Sequence, residues 1–449
     1  MSNIPFRLLP ATLQDAIVVT RQLGGRYLWI DALCIIQDDD DDKAREIHAI
    51  PSIYQGSILT ISAACSSSCQ QGFLYTRMPY PPGVVLPTLC PGNVAGAAQA
   101  ISMGDKRSFA EPIHSRGWTY QEHVLSTRIL QYETTEIKWT CPSRRCDAGH
   151  ENTEWRVPLA SEFPDSNEKS EASLYAKWTN HVENYSGRRL TIPGDRLIAF
   201  SAIASKFAEH CEVGPSEYLA GLWKRTLIPY LLWRVSDPGG EYFVWDKKSS
   251  SWIAPSWSWG SVLGEVSWLL MDTELEGENG IRAIAKVLSS GTTPANINAP
   301  FAAVRDGRLT VKGFVTKAVL HLATSSVIES CHPASLSKFP LKVHLDIADF
   351  GLESNTEEQI TVWCLELCMR FREERISGYP SSWTEYRYGL LLRSAAATEG
   401  QGSEFHRIGC YSQAISLGES KSNVVEFEAT CDRCVETGAQ TAEMVIEIV

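Results

Sequence analysis

No stretch of this chain approaches the roughly 20 consecutive apolar residues that a bilayer-spanning helix needs. A basic stripe is also missing. Lys and Arg number 41 against 53 Asp and Glu, and the formal net charge of −12 disfavours phosphate backbones and anionic lipid alike. The opening MSNIPFRLLPATLQD lacks the basic start and long apolar run of a secretory signal. The 13 cysteines are odd in number and scattered, so they form no disulfide framework and imply reduced thiols in a cytoplasmic protein. Neither Gly-x-Gly-x-x-Gly nor a phosphate-cradling Gly-Lys-Ser/Thr loop occurs, which leaves a Rossmann dehydrogenase and a P-loop enzyme without support. No repeat of about 20–50 residues recurs.

What is present is apolar and aromatic: 44% hydrophobic residues, with 14 Trp and 15 Tyr, enough for large cores over two or three domains. The most telling stretch is RYLWIDALCIIQDD, Arg26 to Asp39. Tyr27 to Ile30 run apolar without alternation into Asp31, the pattern of a strand buried on both faces. Because ligands of open α/β sheets bind at the carboxyl ends of strands, Asp31 is a candidate site residue, with helix capping or pairing to a buried Arg as the structural alternative. Thr12 to Asp15 has the form of a capping box, and Gly24-Gly25 ends the helix it opens. A second helix carries Ile47, Ile50, Ile53 and Tyr54, with a kink or break expected near Ala49 because Pro51 interrupts it. Ser57 to Ala64 predicts a second buried strand. This order gives parallel βαβ units.

Residues 65–111 are rich in Ser, Gly and Pro and read as loop. Trp118 to Leu125 predicts a short helix, and Arg128 to Tyr132 with Glu136 to Thr140 a tight pair of strands. Residues 147–172 read as a polar linker. Leu197 to Phe207 and Tyr218 to Trp233 predict two amphipathic helices, and beyond Gly239 short strands alternate with Gly, Ser and Asn. The expected organisation is an α/β domain at 1–150, a linker and helical segment at 151–236, and a β-rich region at 237–449. Trp252, Trp257, Trp259 and Trp268 predict a buried seam against the helices.

Two clusters suggest metal. The acidic tract Asp38 to Asp42 offers oxygen ligands but lacks the spacing of a calcium loop, so a solvated loop is the simpler expectation. Cys431-Asp432-Arg433-Cys434, with His406 and Cys410 upstream, is a weak zinc candidate. No cofactor is indicated.

Three blocks carry a family resemblance: LPATLQDAIVVTRQLGGRYLWIDALCIIQDD, then IYQGSILTISAA, then SRGWTYQEHVLSTRILQY. Together they resemble the fungal heterokaryon-incompatibility (HET) domain family, and AGLWKRTLIPYLLW and APSWSWGSVLGEVSW look like the region that follows that domain, to about residue 270. The resemblance implies a cytoplasmic protein of nonself recognition that triggers growth arrest or cell death through contacts with other incompatibility proteins or with itself. Family members begin with a strand and loop resembling YVALSYCWG, absent here, so a central sheet partner and part of the site are expected to be missing. HET domains are distantly similar to Toll/interleukin receptor (TIR) domains, which implies a TIR-like or flavodoxin-like parallel sheet with helices. Some TIR domains hydrolyse NAD. By that likeness Glu122 is a catalytic candidate beside Asp31, and Ser115, Arg116 and Trp118 are binding candidates, since a carboxylate favours an oxocarbenium-like state and an indole offers a stacking face. The alternatives are that Glu122 pairs with Arg116 or Arg128 while Trp118 is core, or that the chain serves another intracellular task.

Overall fold

The computed structural model describes residues 4–77, 84–90, 94–100, 111–141, 144–146, 163, 170–236, 252–270, 280–321, 328–330, 342–346, 359–374, 382–395, 404–418 and 441–449. The chain forms two compact units, Met1–Ser161 and Glu162–Val449. Among the described residues no helix is long and apolar enough to cross a membrane.

In the first unit α1 (Ala11–Gln22) ends at Gly24, whose φ of 78° makes the left-handed stop that the Gly pair implies. Thr12 and Asp15 do not cap it. Thr12 Oγ1 donates to the Ser68 carbonyl and accepts from Gly72 N, while the Asp15 carboxylate accepts from Phe73 N and Leu74 N at 2.7 and 3.0 Å. The polar face of α1 thus clamps a loop, and Phe73 is delivered into a core with Val19, Cys65 and Tyr132.

The expected strand at Tyr27 to Ile30 is not a strand. The segment is extended at Ile30 but joins no sheet, Tyr27 is 87% exposed, and Asp31 opens a short helix, α2 (Asp31–Cys34). An apolar run of this length does not by itself make a strand, and here an acid in the first helical turn takes over. Helix α3 (Asp40–Gly56) contains Pro51 without breaking there and stops at Gly56. The acidic tract is not simply solvated: Asp39 accepts from Asp42 N, and buried Asp42 accepts from Ile36 N at 2.8 Å and from Arg45.

Strand β1 (Thr60–Ser62) follows. The stretch read as loop contains an antiparallel pair, β2 (Val84–Cys90) and β3 (Val94–Ala100). After α4 (Thr119–Leu125) come β4 (Ile129–Tyr132), β5 (Ile137–Cys141) and β6 (Arg144–Cys146). The sheet runs β1-β4-β5-β6, parallel only between β1 and β4. The fold is therefore mixed α/β with a small sheet, because tight turns oblige β4, β5 and β6 to run antiparallel.

The second unit opens with α5 (Glu171–Ser186), a helix not expected from the sequence, capped by Ser170 and burying Tyr175, Trp178, Val182 and Tyr185 at helical spacing. Helix α6 (Ser201–His210) overlaps the expected one. The helix expected at Tyr218 to Trp233 is instead β7 (Tyr218–Leu219), β8 (Leu222–Trp223), α7 (Leu227–Tyr230) and β9 (Trp233–Val235). Ala220 and Gly221 both have positive φ, 46° and 103°, the signature of a tight hairpin turn rather than a helix. Trp257 and Trp259 are fully buried, as the seam implies, though in a turn and at the start of a 3-10 helix rather than in a strand, and Trp252 is 51% exposed. The indoles of Trp178 and Trp259 both donate to the Gly221 carbonyl, at 3.0 and 2.8 Å.

The C-terminal region is β-rich as expected. It adds β10 (Val266–Trp268), which pairs β9, then β11 (Arg282–Ala283), β12 (Lys286–Pro294), β13 (Val304–His321), β14 (Ile328–Ser330), β15 (Lys342–Leu345), β16 (Gln359–Glu374), β17 (Ser382–Ser394), β18 (Glu404–Gly418) and β19 (Thr441–Ile448). Strands β16, β17, β18, β19 and β13 pair in that order, and β13 pairs back to β16, which closes a ring. Closure removes the open edges that long strands would otherwise present. Leu309, Val311, Leu365, Leu390, Leu392 and Ile448 are among its buried side chains.

Candidate functional site

Three of the candidates, Asp31, Arg116 and Glu122, act electrostatically on Tyr54 of α3. Helix α4 is anchored by Tyr120, Val124 and Leu125, all buried, which turns Glu122 toward a half-buried position. Its start is fixed by Thr119 Oγ1, donating to the carbonyls of Ile113 and Arg116, both at 2.8 Å. Its end is fixed by Ser126 Oγ, which donates to Glu122 O at 2.6 Å and bonds Thr60 Oγ1 at 2.7 Å.

Tyr54, near the end of α3, is the member that the sequence pattern placed only on a helix. Its hydroxyl donates to the Glu122 carboxylate. Burial pushes the phenol far above its ordinary range, the negative charge and hydrogen bond of Glu122 push it further, Asp31 adds to the rise, and Arg116 opposes it. Two carboxylates and a guanidinium therefore bear on one hydroxyl. Trp29, from the segment before Asp31, meets the Tyr54 ring edge-on at 6.0 Å between centroids.

Asp31 itself is exposed and accepts a hydrogen bond from Ala32 N at 2.7 Å, so it also stabilises the start of α2. Ser115 is exposed and donates to Pro112 O at 2.7 Å. Trp118, just before α4, is half-buried rather than core, and nearby His114 and His123 meet edge-on at 6.4 Å. Of the zinc candidates, Cys431 and Cys434 lie outside the described residues. Cys410 is fully buried, its thiol donates to Trp233 O at 3.3 Å, and burial pushes it up to about 12. His406 is exposed, its Nδ1 lying 3.3 Å from Val449 O. The two do not share a surface.

Chemically, the Tyr54 cluster offers a carboxylate held by a phenol, a second carboxylate and a cation. The signal for Tyr54 was available: it falls in IYQGSILTISAA, one of the three blocks that carry the resemblance.

A family profile described as Heterokaryon incompatibility protein (HET) matches residues 2–122. Comparison with curated proteins and with solved structures found no match. The matched segment, which holds Asp31, Tyr54, Arg116 and Glu122, is thus similar to the heterokaryon incompatibility (HET) domain family.

Proposed function

We propose that this chain is an effector of fungal heterokaryon incompatibility whose HET domain acts through protein contacts. The observation that carries this reading is the apolar surface of the first unit. Thirteen of the nineteen exposed large apolar side chains among the described residues fall before residue 162, with Tyr27 and Ile58 at 87% and 86% exposure. Leu23, Tyr27, Leu33 and Ile36 flank Trp29 and Asp31 in the chain, so the most specific block of the family resemblance is also apolar and exposed. Scattered exposed apolar residues are ordinary, but such concentration in one unit marks surfaces that meet partners.

The second reading is a glycohydrolase-type activity at Glu122. The hydrogen bond from Tyr54 and the nearby charge of Asp31 favour it, because a positioned carboxylate stabilises a cationic transition state and losing it typically lowers rate about 10²–10³-fold. Expression in a filamentous fungus, scored for growth arrest, separates the two. Under the contact reading Tyr27→Ser with Ile58→Ser abolishes arrest in a folded protein and Glu122→Gln retains it. The reverse pattern, with nicotinamide release from NAD by the wild type, would replace the contact reading with the catalytic one.

A further inference from the structure

The second unit contains an open pocket beside Phe207, Trp223 and Tyr230, whose roughly 400 Å³ of empty space includes the solvent at its mouth. Its floor is aromatic: Phe207 from α6, Trp223 from β8 and Tyr230 from α7 are all buried, and the Phe207 and Trp223 rings stack 5.5 Å apart. Leu174 and Val213 supply half-buried aliphatic walls. Three charged side chains stand on the same lining: Glu171, Glu217 and Arg225. Among the described residues none of these makes an ion pair or side-chain hydrogen bond, and Glu171 is close enough for its charge to raise the Tyr230 phenol. An apolar aromatic floor flanked by two carboxylates and one guanidinium is complementary to a ligand with a flat apolar body, an ammonium group and a carboxylate.

We propose that this pocket binds a small zwitterion of the aromatic α-amino acid class, with its ring over Phe207 and Trp223, its ammonium toward Glu171 and Glu217, and its carboxylate toward Arg225. The floor supplies apolar and ring–ring contact, and the charges supply orientation. Nothing in this inference depends on the HET domain or its activity.

The test uses the purified full chain and three probes followed by ligand-observed NMR titration: L-phenylalanine, 2-phenylethylamine, which lacks the carboxylate, and 3-phenylpropionate, which lacks the ammonium. L-phenylalanine should saturate, and each of the other two should bind about tenfold more weakly, the effect of one charge-assisted hydrogen bond. Arg225→Gln should remove the advantage of L-phenylalanine over 2-phenylethylamine. Glu171→Gln with Glu217→Gln should remove its advantage over 3-phenylpropionate, and Val213→Trp should block all three by filling the pocket. Arg225 and Glu171 are exposed, so those variants keep the test valid if Val213→Trp fails to fold. The proposal is overturned if folded wild type shows no saturation by L-phenylalanine, if the three probes bind equally, or if binding is unchanged in Arg225→Gln.

Discussion

Tyr54 joins an aromatic ring, a hydrogen bond and three charges at one position, which makes its substitution informative. Tyr54→Phe keeps the ring against Trp29 but withdraws the donor from a half-buried Glu122 carboxylate. Hydrogen bonds to charged groups contribute about 1.5–3 kcal/mol, so a loss near the lower end of that range is expected in urea unfolding, given the partial exposure of Glu122. An unchanged unfolding midpoint would mean that water replaces Tyr54 at no penalty. Trp257, fully buried, is expected to lose about 3–5 kcal/mol on truncation to Ala, read as a lowered thermal midpoint. Its burial was legible from the run of tryptophans, whereas the role of Tyr54 was not: periodicity assigns a tyrosine to a helix face but not the atom its hydroxyl reaches.

At the scale of elements, the β7–β8 turn and the strand packing beneath β9 make the sharpest claims. Gly221 has a φ of 103°, and a Cβ there would lie 2.5 Å from Trp259 Nε1. Gly221→Ala should therefore combine backbone strain with a clash and cost about 2–4 kcal/mol. Gly24→Ala is the control, since its φ of 78° is strained but nothing lies within 4 Å, and about 1 kcal/mol is expected there. Equal losses at the two glycines would dismiss the clash with Trp259. Beneath β9, Arg407 and Asp346 form a buried pair at 2.7 Å, and the same guanidinium donates to the carbonyls of Leu231 and Trp233 and stacks on the Trp233 ring. Burial raises the Asp346 carboxyl more than Arg407 lowers it, so this ion pair is held by geometry against desolvation. Asp346→Ala strands a buried cation and should cost about 3–5 kcal/mol in unfolding free energy. A near-neutral result would show that the carbonyls and Trp233 satisfy Arg407 on their own.

For the whole molecule, His181 links stability to pH. It is completely buried on α5, stacked on Phe163 at 4.9 Å, and burial, with Lys177 adding, pulls it down to about 3. In the unfolded chain a histidine titrates near 6.5, so between about pH 6.5 and 3 the unfolded state holds a proton that the folded state rejects. Stability is then complete above pH 6.5 and falls as pH falls, by about 1.4 kcal/mol per pH unit for this one group. The comparison of wild type with His181→Phe isolates that contribution from the carboxylates titrating in the same range. The wild type should lose stability relative to His181→Phe as pH drops from 6.5, and parallel curves would exclude His181 as the cause.

By itself the sequence determined the family block, the helical opening, the stop at Gly24, the tight pair of strands after α4 and the β-rich C-terminal half. These follow from local chemistry: left-handed glycines, helical spacing and short strand runs between turn residues. Tertiary structure decided the rest. Whether Tyr27 to Ile30 became a strand depended on pairing with a neighbour, and the segment joins no sheet. Tyr218 to Trp233 carried an apolar pattern that suits a helix, yet positive φ at Ala220 and Gly221 lets two indoles donate to one carbonyl, and that contact exists only once α5 and the turn at Trp259 have packed. Closure of β13 onto β16 and the meeting of Tyr54 with Glu122 join residues far apart in the chain, whose pairing no local pattern encodes.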